Sequence, residues 1–123
     1  MQMEKIVRGG QAVVVIFSEE VLLTDVQTAL DLMMTVQYET NGSRIALNKE
    51  AVDEAFFDLR SGLAGEVLQK FINYRMKLAV YGDFSVYTSK ALRDFIYESN
   101  QGQDIFFAAS RAEAIERLLN ASS

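Results

Sequence analysis

The run AVVVIF, Ala12 to Phe17, is apolar at each of its positions. A strand with one wet face alternates apolar and polar residues, and a strand that does not alternate is buried on both faces. This run therefore demands a sheet covered on two sides. IFFAA, Ile105 to Ala109, makes the same demand near the other end of the chain. Neither run approaches the length of a membrane span.

Between these runs the period changes from two to about 3.6. EKIVR, Gly9-Gly10 and QAVVVIF read as a hairpin of two β-rich runs. TDVQTALDLMMTVQYETNG reads as a long helix, with Thr24 as N-cap, Gln27 completing a capping box and Asn41-Gly42 as the stop. Its inward stripe is Val26, Ala29, Leu30, Met33 and Val36. RIALN follows as a short strand with Ile45 and Leu47 on one side. A second helix ends near Tyr74-Arg75, with Ala64, Val67, Leu68, Phe71 and Ile72 inward. KLAVYG is a strand. SKALRDFIYESNQG is a helix capped by Ser89 and stopped by Gly102, with Leu92, Phe95 and Ile96 inward. DIFFAA is the last strand. SRAEAIERLLN is the last helix, with Ser110 and Glu113 as a capping box and Ile115, Leu118 and Leu119 toward the core.

The order ββαβαβαβα predicts an α/β fold: a mostly parallel five-stranded sheet, one antiparallel edge strand and four main helices. The 123 residues fit a single domain, 1–123, and contain no proline, so caps and glycines must set the helix boundaries. Sequential right-handed crossovers send their helices to one sheet face. The doubly apolar strands then require further helices on the other face, or a second surface. Leu32 and Met34 flank the stripe of the first helix, and Met33 and Met34 suit an adaptable contact. A homodimer interface is one use of such a surface.

Composition excludes several chemistries. The chain has no cysteine and no histidine. Disulfides, thiolate or imidazole zinc sites, and Ser-His or Cys-His nucleophiles are therefore unavailable. Catalysis would rest on Asp, Glu, Lys, Ser or Tyr, and the expectation is a protein that is not an enzyme and uses no cofactor. The net charge is −5 without a basic cluster, which argues against nucleic acid. The start, MQMEKIVRGG, is charged and unlike a signal peptide, so a cytoplasmic protein off the membrane is expected.

The stretch FFDLRSGLAGEVLQ places Gly62 and Gly65 at the start of an apolar helical pattern. Glycine inside a helix costs about 1 kcal/mol against alanine. Two readings account for it. In one, Ser61 caps the helix, Gly62 turns the chain and Gly65 packs on the sheet. In the other, the bare turn receives an anion, a phosphate or a partner protein, with Asp58, Arg60, Ser61, Gly62 and Gly65 as its residues and Ser61 as a phosphorylation point.

Polar residues also gather where the parallel strands end: Glu19, Glu20, Asn48, Lys49, Glu50, Asp83 and Ser85. Open α/β sheets bind ligands at that edge. Asn48, Lys49 and Asp83 are candidate ligand-binding residues there, joined by Phe84 and Tyr87 of the YGDFSVYTSK loop as a lid or partner contact. Glu50, Asp58 and Asp83 are carboxylates of the kind Mg²⁺ takes, but no recognised spacing links them, and solvated loop carboxylates are the preferred reading.

The element order, and RIALN leading through FFDLRSGL into a helix, resemble the STAS domains of sulfate transporters and anti-sigma-factor antagonists. In that family an Asp-Ser-Ser/Thr-Gly turn precedes the corresponding helix, and its hydroxyl residue before glycine is phosphorylated. The resemblance aligns Ser61 with the hydroxyl residue and Asp58 with the aspartate. Here DLRSG carries one more residue, and Arg60 replaces a small hydroxyl residue. VLLTDVQTALDLM, LNKEAVDEAFFDL, GLAGEVLQKFINYRMKLAVYGDFS and SKALRDFIYESNQGQDIFF are similar to short bacterial proteins grouped as domain of unknown function 4180. That resemblance implies a STAS-like fold and supplies no reaction or substrate. Two functions are expected: a non-catalytic interaction or regulatory module reading a protein through Ser61–Gly65, or a binder of an anion or apolar molecule at the carboxyl edge of the sheet.

Overall fold

The computed structural model describes residues 1–122. Strands β1 (Gln2–Arg8) and β2 (Gln11–Phe17) form the expected hairpin, paired from Gln2 opposite Phe17 to Arg8 opposite Gln11. The two-residue turn between them needs positive φ twice, and Gly9 and Gly10 supply it at 59° and 80°. Next come α1 (Val26–Thr40), β3 (Arg44–Asn48), α2 (Leu63–Asn73), β4 (Lys77–Tyr81), α3 (Lys90–Gln101), β5 (Ile105–Ala108) and α4 (Arg111–Asn120). The five strands lie side by side in chain order, antiparallel at β1–β2 and parallel from β2 to β5.

Alternation along each strand divides the core in two. Val14, Ile16, Ile45, Leu47, Leu78, Val80 and Phe107 point to one face and pack with buried residues of α1, α2 and α3. Val13, Val15, Ala46, Ala79, Phe106 and Ala108 point to the other, where Ala114, Ile115 and Leu118 of α4 cover them. Three helices connect successive strands on one face, and the last, with no further strand to reach, folds back over the other. The doubly apolar strands are thus satisfied within the chain and require no second copy on the face that α4 covers. Small residues, three of them alanine, let α4 approach closely.

The amino ends of the central strands carry two buried cations. Arg44 of β3 donates from Nη1 to the carbonyls of Leu118 and Ala121, the second at 2.9 Å. It thereby ties down the last turn of α4, where unpaired carbonyls favour positive charge. Lys77, opposite Arg44 in β4, donates to the Gln103 carbonyl at 2.7 Å and pairs with Asp104 at 3.0 Å.

Several expected details shift. The cap of α1 is Asp25, not Thr24: its carboxylate accepts from the Thr28 amide, and the Thr28 hydroxyl accepts from the Asp25 amide. Aspartate adds a negative charge at the positive helix end, which threonine cannot. Ser110 caps α4, but the Glu113 carboxylate accepts from Ala109 rather than from Ser110 itself. Ile72 is 46% exposed, so the buried stripe of α2 stops at Phe71. Leu32 is buried, while Met34 remains 43% exposed.

Candidate functional site

The approach to α2 is made of three short 3₁₀ turns, Lys49–Ala51, Glu54–Phe57 and Leu59–Ser61. They are anchored to the segment after β2: the Leu22 and Leu23 amides donate to Ala51, and the Asp53 amide donates to Leu23. Phe56 and Phe57 point into the core and hold this path down.

The last turn presents Asp58, Arg60, Ser61 and Gly62, all exposed. Asp58 caps it by accepting from the Arg60 amide at 3.2 Å and the Arg60 Nε at 3.3 Å. The Arg60 side-chain hydrogen bond, helped by the Arg60 amide, holds the Asp58 carboxyl below its ordinary pKa. Gly62, at φ 77° and ψ −5°, occupies the N-cap of α2. That left-handed backbone strains any residue with a Cβ, which explains the first glycine. Ser61 therefore stands one position earlier than a capping serine would. Its hydroxyl still serves both sides, donating to the Ala55 carbonyl at 2.6 Å and accepting from the Leu63 amide at 3.2 Å.

Gly65 does not pack on the sheet. It is exposed, and a Cβ built on it would meet nothing within 4 Å. No steric or backbone demand inside the chain calls for glycine there. Gly62 has no side chain to cap α2, so Ser61 takes the Leu63 amide while the amides of Ala64 and Gly65 find no side-chain partner among the described residues.

The carboxyl edge of the sheet is organised differently from a vacant ligand site. Asn48 is 1% exposed, and its amide is saturated: Oδ1 accepts from the Ser18 amide at 2.9 Å, while Nδ2 donates to the Ser18 carbonyl and to Glu50. It staples the end of β2 to the end of β3. Lys49 lays its stem against Gly82, where any added Cβ would lie 2.6 Å from the Lys49 Cβ. Its ammonium sits 5.0 Å from the Tyr87 ring centre, 5.8 Å from that of Phe57 and 3.7 Å from Glu54. Tyr87 stacks on Phe57 at 5.1 Å and donates its hydroxyl to Glu54 at 3.0 Å. Burial first, then the Glu54 hydrogen bond and charge, push the Tyr87 phenol above its ordinary pKa.

Phe84 meets Phe57 at 5.9 Å and Phe107 at 5.5 Å, so the loop from Gly82 to Ser89 is pinned to the core by its aromatics. Asp83 turns back onto Ser85, accepting from its hydroxyl at 2.5 Å, and that bond lowers its pKa. Glu50, Asp58 and Asp83 each answer to a different partner: Asn48, Arg60 and Ser85. Among the described residues no group of acidic side chains is arranged to hold a metal ion.

Two functional-looking features escaped the sequence reading. Glu54 joins Lys49 to Tyr87, and nothing in VDEAFF marks it. A hollow of about 520 Å³ lies beside Asp83, Phe84 and Ser85 and is walled by Asn100, Glu113 and Arg117. The Arg117 Nε lies 3.5 Å from Glu113 Oε1 without a hydrogen bond, and finds no other partner among the described residues. Asn100 donates to the Phe107 carbonyl and accepts from the Phe107 amide, shielding the outer edge of β5. Asn100 comes from the last turn of α3 and Glu113 and Arg117 from α4, and only the fold brings them together.

Fold and site together define an α/β protein with a sequentially wound sheet, a braced turn before its second helix and an edge whose polar residues are mostly committed internally. The chain belongs to the family described as domain of unknown function DUF4180, whose model matches residues 8–118. No curated protein matches it. No solved structure matches it either. Among the described residues no helix is long and apolar enough to cross a membrane.

Proposed function

We propose that this chain is a non-catalytic protein-interaction or regulatory module of the cytoplasm, and that its contact is the Ser61–Gly65 turn. Gly65 carries this reading. A helical glycine that faces solvent lowers stability by about 1 kcal/mol and gains nothing inside the chain. A partner's backbone or side chain pressed against that face gives it a use. The turn is also prepared for contact. Asp58 and Ser61 fix its backbone, so little ordering is lost on binding, and the Arg60 side chain is 93% exposed beside it. Phosphorylation of Ser61 would end its donation to Ala55 and bring a dianion to the start of α2 next to Arg60.

The test is retention of lysate proteins on the tagged full chain, compared among parent, Gly65→Arg, Ser61→Asp and Tyr97→Ser. Tyr97 lies on the outer side of α3 and serves as the control. One set of proteins should be held by parent and Tyr97→Ser, lost by Gly65→Arg and altered by Ser61→Asp. Equal retention by Gly65→Arg and the parent would overturn the assignment of the turn.

A second reading, small-ligand binding at the carboxyl edge, is favoured by one observation: Arg117 is the cationic residue among those lining the hollow next to Asp83. A small carboxylate or phosphate is the matching ligand class. A thermal-shift panel of such anions in which none raises the melting temperature would remove this reading.

A further inference from the structure

The two edges of the sheet are treated differently. At β5 the outward amide and carbonyl of Phe107 are both taken by the Asn100 side chain, and the Ala109 amide donates to Glu113 at 2.8 Å. At β1 no side chain among the described residues does this. Because Arg8 and Gln11 close the hairpin, Gln2, Glu4, Ile6 and Arg8 turn their backbone toward β2. Met3, Lys5 and Val7 turn theirs outward, and among the described residues β2 is the only strand beside them. None of these three has another backbone partner among the described residues. Lysine on an edge strand usually guards it. Here the Lys5 ammonium is drawn away over the sheet, donating to the Thr40 carbonyl at the end of α1 at 2.9 Å. Val7 stands 60% exposed on this open edge.

An open edge accepts another strand, and the residues of β1 choose which. Two-fold antiparallel pairing of β1 with itself must place a residue opposite its own copy, since facing residues share a side of the sheet. Three such registers keep most of the strand paired. Centring on Glu4 opposes two glutamates, and centring on Lys5 opposes two lysines. Centring on Ile6 opposes isoleucine to isoleucine, sets Glu4 against the partner's Arg8 twice, and exchanges backbone bonds between Lys5 and Val7. Only that register avoids a like-charge pair at its centre.

The charges flanking β1 extend the pattern. Glu4 already meets Arg111 at 2.7 Å, and Arg8 meets Glu116 at 3.6 Å, both on α4. In the register centred on Ile6 the row across the edge reads Arg111, Glu4, the partner's Arg8, the partner's Glu116, with alternating sign throughout. We propose that the chain forms a two-fold homodimer in which β1 pairs antiparallel with β1 of a second copy, Ile6 against Ile6, joining two five-stranded sheets edge to edge.

Sedimentation equilibrium of the full chain from about 1 to 300 μM reads the association directly. The parent is expected to dimerise across that range. Val7→Pro removes an outward donor without touching the β1–β2 ladder and is expected to give a folded monomer. Arg8→Glu and Glu4→Arg each put like charges opposite one another twice, and each should weaken the dimer about tenfold or more. Mixed in equal amounts, these two charge variants should recover association as a heterodimer, because every opposed pair is then complementary. Circular dichroism checks that each variant folds, and if Val7→Pro does not, the charge pair decides alone. A parent that remains monomeric, a dimer that all the variants leave intact, or an edge that takes only a different protein overturns the proposal.

Discussion

Arg44 is the residue through which the second layer of the molecule is held, and replacing it by methionine isolates that role. Methionine keeps an unbranched stem in the buried site and removes the donors. In the parent one nitrogen of the guanidinium serves two carbonyls, those of Leu118 and Ala121, at the end of α4. Losing a hydrogen bond from a charged donor to a buried acceptor costs about 1.5–3 kcal/mol. Two are lost, but the sum overstates the effect. Ala121 lies past the last turn of α4, so fraying of that end would let water reach its carbonyl once Arg44 is gone. Removing a charge from a site that is 4% exposed also recovers part of its desolvation cost. The net loss expected is about 2–3 kcal/mol, which for a domain of this size lowers the melting temperature by roughly 6–12 °C.

The assay must separate a general weakening from release of α4. Hydrogen exchange does so. If Arg44 ties down this helix, amides of Ile115 to Leu119 should exchange about 30-fold faster in Arg44→Met, while those of α2 change less. Release of α4 would bare Val15, Ala79, Phe106 and their neighbours. A melting temperature within about 1 °C of the parent, with exchange in α4 unchanged, would refute the reasoning.

Other substitutions probe single features. Gly65→Ala should raise stability by about 0.5–1 kcal/mol in urea unfolding, since the added methyl meets open space, whereas Gly62→Ala should lower it by about 1 kcal/mol or more because φ is 77°. The raised pKa of Tyr87 makes a stability contribution that is complete below the unfolded tyrosine value near 10 and declines as pH rises toward the folded value. Alkaline unfolding followed by circular dichroism should accordingly become less steep above about pH 10 in Tyr87→Phe, compared with its own neutral baseline. Asn100→Ala leaves the Phe107 amide and carbonyl without their side-chain partner, and should cost about 1–3 kcal/mol in the same urea assay.

The sequence marks its elements through local chemistry. Gly9-Gly10, Asn41, Ser89, Gly102 and Ser110 sit where turns and caps need them, and those needs are met by neighbours a few residues away. The apolar runs of β2 and β5 likewise announce a sheet covered on both faces. Which helix provides the second cover is not local. α4 follows the last strand, so no crossover rule assigns it a face, and its placement depends on the small residues of β3, β4 and β5 together with Arg44 far away in the chain. The site is illegible for the same reason. Asn48 reads as a polar residue at a strand end, yet its amide is consumed by Ser18, thirty positions earlier. Ser61 reads as a cap because serine usually is one, but three 3₁₀ turns advance the chain and pass the N-cap to Gly62.

The distribution of committed polar groups bears on what kind of partner this protein can have. At the amino ends of the central strands Arg44 and Lys77 are turned inward onto carbonyls. At the carboxyl ends Asn48 is buried, Lys49 lies over two rings and Asp83 is folded back on Ser85. Side chains that would grip a small ligand are mostly engaged in joining strands to loops. Two exposed stretches instead offer backbone: the glycine face at the start of α2 and the outer row of β1. Backbone groups in fixed array are read by other polypeptides, through close approach at a glycine or through an added strand. The two proposed protein contacts, the turn before α2 and the edge of β1, lie on separate elements. These respond to different substitutions, so Gly65→Arg should leave self-association at β1 intact while Val7→Pro leaves the turn untouched.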